Sequence, residues 1–194
     1  VPFHFNPSQQ EYWDNSTQAD IILKAASMGF TTFCVLEFLA YCMLIPGIQA
    51  LVVAQRDDTG TNLFDIAHRA IQAMPESVRP TLLQSSRNRI EIDHSDTVPG
   101  MSSIFEVGSA NSDSFGRGRP THFALFTEVG FYNEEAVKMI MGIISRLPKG
   151  NSRYVLESTA NGMDNYFHNQ WKMSENNQGE LTGHFFPWFK SPEY

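Results

Sequence analysis

Short apolar runs alternate along the chain with longer segments whose apolar residues recur at helical spacing, which predicts strands alternating with helices and hence a parallel sheet. Ile21-Ile22-Leu23-Lys24 reads as a strand. It runs through Ala25, Ala26, Ser27, Met28, Gly29 and Phe30 to two threonines, Thr31 and Thr32, which open a helix predicted over 31–43. That helix is apolar nearly all round (Phe33, Val35, Leu36, Phe38, Leu39), as a helix buried against a sheet is, and Pro46-Gly47 ends it. Residues 50–54 read as a buried strand, short and β-branched, completing a βαβ unit. The polar patch 55–60 reads as solvated loop or as part of a site at the sheet's carboxyl edge, and a helix is predicted over 62–74, stopped by Pro75.

Further along, 89–92 and 103–108 alternate as half-exposed strands, and 109–120 reads as a Ser-, Gly- and Arg-rich loop. Residues 122–128 form a buried strand ending in Glu128. Asn133 then caps a helix predicted over 134–147, and 153–162 is a further strand ending in hydroxyls and an amide. A helix near 163–171 and a strand at 184–188 close the chain, while a short helix near 11–13 precedes the first strand.

Composition narrows the classes. At 194 residues one domain with a good core is expected. Fourteen basic against 21 acidic residues give a net charge of -7, so no global positive field points to nucleic acid, and any such contact is local or supplied by another subunit. Cys34 and Cys42 share one predicted helix and read as buried thiols of a reducing compartment; neither they nor the six histidines show metal-ligand spacing. The longest apolar segment, 33–48, contains Glu37 and is broken by Pro46, too short to span a membrane, and no signal-peptide pattern precedes it.

The candidate chemistry begins at the first strand–helix junction, where unpaired N–H groups and a helix dipole favour an anion. The phosphate-loop pattern of Gly, four residues, Gly, Lys and Ser or Thr is matched only in part. Gly29 and Thr31 are in place, but Phe30 stands at the lysine position and Ala25 or Ala26 replaces the first glycine. The nearest cation, Lys24, is long enough to fold back over phosphates. Taken alone, the same residues also describe a βα junction capped by threonine. Pro7-Ser8-Gln9 is either a helix start with a capping serine or, so near such a loop, an amide able to read an adenine edge through Gln9. Thr127 and Glu128 stand where phosphate-loop ATPases place a metal-supporting aspartate and a water-polarising glutamate. Arg117 and Arg119, set among glycines, suit phosphate or belong to a flexible basic loop, and Ser158-Thr159 could sense a γ-phosphate or cap the next helix.

Together these residues resemble the ATPase half of the large terminase subunits of tailed bacteriophages and prophages, motors that pump DNA into a procapsid. Lys24 to Thr32 is similar to the family's loop layout in which lysine has moved to the loop's entrance, and the order and spacing of 109–117, 123–128 and 157–162 match as well. Arg117-Gly118 resembles the family's arginine motif, Ser158-Thr159-Ala160 its coupling motif and Pro7-Ser8-Gln9 its adenine motif. The departures are the missing loop arginine at 26 or 27 and Thr127 in place of aspartate.

The resemblance implies an α/β fold of the three-layer P-loop NTPase (RecA/ASCE-like) type, a single ATPase domain over 1–194, and a nuclease domain that would lie beyond Tyr194. It implies ATP and Mg2+, with phosphates on the backbone of 27–32, Lys24 neutralising them, Thr31 and more weakly Thr127 serving the metal, Glu128 activating water, and Arg117 or a neighbouring subunit's arginine stabilising the transition state. It further implies double-stranded DNA, a portal protein and a small terminase subunit as partners in the bacterial host's cytoplasm. The working motor would be a ring, and the isolated domain a monomer. Two rivals are a catalytically weakened nucleotide-binding or assembly module, and a two-metal nuclease built from Asp57, Asp58, Asp93 and Glu128.

Overall fold

The computed structural model describes residues 3–111 and 120–191. In chain order the elements are α1 (Pro7–Asn15), β1 (Ala19–Lys24), α2 (Phe30–Leu44), β2 (Gln49–Ala54), α3 (Asp57–Gln72), β3 (Leu82–Ser85), β4 (Arg89–Asp93), β5 (Ser102–Ser109), β6 (Phe123–Thr127), α4 (Glu134–Ile144), β7 (Arg153–Ser158), α5 (Tyr166–Glu175) and β8 (Thr182–Phe186). The strands form one eight-stranded sheet in the order β3-β4-β5-β2-β6-β7-β1-β8. Its pairs are parallel except where β4 meets β3 and β5. The mostly parallel sheet expected from the apolar runs is therefore present.

Side-chain alternation along each strand feeds two cores. On one face Ile22, Val52, Leu125 and Val155 pack with Phe33, Phe38 and Leu39 of α2, Ala67 of α3 and Tyr12 of α1. On the other, Ile21, Leu51, Val53, Phe126 and Leu156 pack with Ile140 and Ile143 of α4 and Phe167 of α5. Sheet residues buried on both sides explain why these strands read as unbroken apolar runs.

Several boundaries differ from the sequence reading. Helix α1 begins at Pro7 because Asn6 and Gln9 form a reciprocal capping box ahead of it, so it is longer than the 11–13 expected. Helix α3 begins at Asp57: Asp57 and Asp58 lie in its first turn, where the helix dipole favours acids, so most of the polar patch 55–60 is helix. Helix α5 starts only at Tyr166, capped by Asn165, after the left-handed Gly162 and Asp164. Strand β8 lies two residues earlier than expected, since Pro187 cannot donate to a ladder. Strand β3, short and largely exposed at the sheet's edge, was not anticipated.

Cys34 and Cys42 are free and buried. No helix among the described residues is long and apolar enough to cross a membrane.

Candidate active site

Because β1, β6 and β7 are adjacent and parallel, their carboxyl ends open on one edge of the sheet. The loop from Ala25 to Gly29 sits at that edge, and its backbone takes left-handed turns at Ser27 (φ 55) and Gly29 (φ 72). Glycine suits position 29 on two counts. Its dihedral disfavours a side chain, and a Cβ there would lie 2.8 Å from Gln9 Nε2. Helix α2 starts immediately after it with no side-chain cap, so the first-turn N–H groups are left facing the edge. Ala26, Ser27 and Gly29 are exposed, Met28 and Phe30 buried, and Thr31 and Thr32 half-buried. The Ala25 N–H is committed to Phe186 O (3.0 Å). Phe30, at the usual lysine position, stacks on Phe186 with ring centroids 4.5 Å apart. A core-facing ring there leaves the cation to come from elsewhere.

Lys24 places a cation at this edge. Its Nζ is 3.1 Å from Glu128 Oε1 and 3.2 Å from Glu157 Oε2, with only 6% of the side chain exposed. Burial works against the ammonium, but the flanking Glu157 and Glu128 outweigh it and hold the amine above its ordinary value. Glu157 is wholly buried; burial pushes its carboxyl up, against the pull of Lys24 and a hydrogen bond from Thr31. That bond, from Thr31 Oγ1 to Glu157 Oε1, is 2.5 Å long.

Glu128 stands on a left-handed backbone turn (φ 55) at the end of β6, uncommon for a residue with a side chain. Its second oxygen accepts from Thr159 Oγ1 (3.0 Å) and Thr159 N (3.3 Å). Ser158 Oγ in turn accepts from Gly130 N (3.0 Å), and Asn161 Nδ2 donates to Gly130 O (2.9 Å). The segment that follows β7 thus holds both the glutamate and the turn behind it.

The structure therefore gathers Lys24, Thr31, Glu128, Ser158 and Thr159 at one edge. Thr127 lies beside them, its Oγ1 buried without a hydrogen-bond partner. Gln9 lies against the loop. Its Oε1 accepts from Asn6 N (3.0 Å) and its Nε2 donates to Gly29 O (3.1 Å), so both ends of the amide latch α1 to the loop. Arg117 lies outside the described residues. Glu157 is the site residue that sequence reasoning missed; its one signal is an acid near the end of an otherwise apolar strand.

The nuclease alternative needed converging acids. Instead Asp57 accepts from Ser109, Asp93 from Ser95, and Glu128 is held by Lys24 and Thr159. Among the described residues no group of three or more His, Cys, Asp or Glu is arranged to hold a metal.

The overall path of the chain is similar to that of the large terminase ATPase domain of Thermus phage P74-26, with a TM-score of 0.67 over 96% of this chain and 81% of that one, at 16% identity. The fold is that of a large terminase ATPase domain. The HK97 bacteriophage large terminase gives a TM-score of 0.73 at 16% identity, covering 95% of this chain and 40% of that one. A large terminase from a thermophilic bacteriophage, in complex with ATP-gamma-S, gives 0.67 at 13% identity over 98% of this chain and 47% of that one. The chain thus spans less than half the length of those two large terminases. No family model and no curated protein matches its sequence. Large terminase ATPase domains are P-loop NTPase folds; in this chain the single strand β7 separates loop strand β1 from acid strand β6.

Proposed function

We propose that this chain is an ATPase, the motor domain of a machine that drives viral DNA into a procapsid. The observation that carries this reading is Lys24 seated between Glu128 and Glu157 beneath an uncapped helix start. That geometry supports a phosphate site whose cation enters from the strand side. Support also comes from the large terminases of the same fold, one of them solved with ATP-gamma-S.

In this reading the phosphates lie on the backbone of residues 27–32, and the Lys24 amine moves from carboxylate to phosphate oxygens as they arrive. Glu128 orients and deprotonates the attacking water, fixed in aim by Thr159. Rate comes from placement and charge, with no covalent intermediate. Adenine recognition by Gln9 would require a base edge to replace the Gly29 carbonyl as its partner. Arg117, or an arginine of a neighbouring subunit in a ring, stabilises the transition-state charge.

A divalent cation fits the residues present. With no acidic cluster among the described residues able to hold it alone, it would be shared between the nucleotide and the Thr31 hydroxyl, with Thr127 Oγ1 nearby. When bound, Mg2+ neutralises and polarises the β- and γ-phosphate oxygens. Double-stranded DNA, a portal protein and a small terminase subunit are the partners this function calls for.

The test is Glu128→Gln. It should retain binding of ATP-gamma-S and lose hydrolysis by about 10²- to 10⁴-fold; unchanged turnover would remove Glu128 from its role. The absence of a carboxylate at position 127 favours a second reading, a nucleotide-binding assembly module without turnover. Nucleotide affinity with no phosphate release, even with DNA and portal added, would select it.

A further inference from the structure

We propose that Glu157 carries the metal-supporting role that a phosphate-loop ATPase ordinarily gives to an aspartate at the end of the acid strand, here replaced by Thr127. This deepens the ATPase reading and rests on it.

The pairing of β6 with β7 is in register at this point: Thr127 stands opposite Glu157. In parallel neighbours, residues in register project to the same face. Two positions earlier on each strand, Leu125 and Val155 both pack into the core beneath α2, so the side chains of 127 and 157 turn toward α2 and its first turn. Strand β7 also pairs directly with β1, the strand that feeds the loop. Position 157 is therefore one strand nearer the loop than position 127, by about 4.8 Å. A glutamate there reaches the loop's hydroxyl without crossing a neighbouring strand.

It does reach it: Thr31 Oγ1 donates to Glu157 Oε1 at 2.5 Å. Thr31 is the hydroxyl that would ligate the cation, and a carboxylate behind that hydroxyl aligns its lone pair and holds the cation's waters. The other carboxylate oxygen pairs with the Lys24 ammonium at 3.2 Å. The Thr127 hydroxyl lies buried and unpartnered next door, where a second carboxylate would face Glu157 across one strand spacing. One acid is present at this layer of the site, carried by the neighbouring strand.

The experiment uses Mn2+ as a paramagnetic probe of the chain saturated with ATP-gamma-S, alongside nucleotide affinity measured in EDTA. Glu157→Gln should weaken Mn2+ binding by about 10- to 100-fold, while affinity for metal-free nucleotide holds or rises because Lys24 is released from a competing partner. Adding Thr127→Asp to Glu157→Gln should restore Mn2+ binding to near its original level. Thr127→Asp alone, with Glu157 kept, should give no gain. Unchanged Mn2+ binding in Glu157→Gln, no recovery in the double variant, or a tighter Mn2+ site in Thr127→Asp alone would each overturn the proposal. If the unaltered chain binds no nucleotide with or without metal, the ATPase reading falls and this proposal falls with it; nucleotide binding with a metal site indifferent to Glu157 sinks this proposal alone.

Discussion

The Lys24 ammonium lies 3.1 Å from Glu128 Oε1 across 104 residues of sequence, joining the end of the first strand to the end of the sixth. A lysine at the loop's entrance thereby sits beside the end of the acid strand, while position 30, lysine in the usual pattern, holds a buried phenylalanine in this chain.

Replacing Lys24 with Ala removes the cation between two carboxylates. Hydrolysis should fall by about 10²-fold or more, the scale of losing one transition-state donor. The folded state should also lose about 3 kcal/mol, since Glu157 is left buried without its counter-charge. Phosphate release and chemical unfolding measure the two losses separately.

Thr159→Val removes the hydroxyl that holds Glu128 Oε2 while keeping the side chain's shape. Turnover should fall by up to about 10²-fold through misplacement of the glutamate. Affinity for ATP-gamma-S should stay the same. A parallel loss of both would mean that the threonine holds the nucleotide itself.

Gly29→Ala forces a side chain into a left-handed turn and against Gln9 Nε2. The backbone term is about 1–2 kcal/mol, and displacement of the Gln9 bond adds about 1 kcal/mol. A thermal melt should show a drop of roughly 4–12 °C for a chain of this size, with nucleotide affinity reduced. Gln9→Ala should show the smaller, hydrogen-bond part alone.

Stability in acid should depend on a buried network at the opposite edge of the sheet. Asp20 accepts from Thr17 Oγ1 (2.7 Å) and Tyr12 OH (3.0 Å), and pairs with Arg153 (3.2 Å) and His184 (3.0 Å), while Arg153 also binds Glu37. Burial pushes the Asp20 carboxyl up, but the His184 and Thr17 hydrogen bonds and the Arg153 charge outweigh it, leaving it below its ordinary value. A carboxyl depressed by folding contributes stability that is present above its unfolded value and lost as pH falls through its folded one. Glu37, pushed up by burial despite Arg153, acts in the opposite sense, losing its contribution as pH rises through its raised value. Unfolding free energy should therefore drop below about pH 4, and Asp20→Asn should flatten that limb while lowering stability near neutrality by about 3 kcal/mol. Urea titrations over the acid range would show it.

The parts of the fold that sequence made legible are those where one physical cause dominated. Strands β1, β2, β6 and β7 are buried on both faces and so read as apolar runs, and α2 packs against both the sheet and α3 and reads as apolar all round. Edge strand β3, with Gln84 and Ser85 exposed, carries no such signal. The start of α3 was hidden because Asp57 and Asp58 look like loop residues until the helix dipole they serve is known. Within the site, Lys24, Thr31 and Glu128 stood out by position in a pattern. Glu157 did not, because its meaning comes from strand order: only once β7 is known to lie between β1 and β6 does its carboxylate fall beneath Thr31.

That intervening ribbon also ties events together. Strand β7 is bonded on both sides and ends in Glu157 and Ser158; with the next residue, Thr159, they grip the loop's hydroxyl, the turn after the acid strand and the acid itself. Three consecutive residues thus join both walls of the cleft, so none of these contacts can be altered without bearing on its neighbours through one or two peptide bonds.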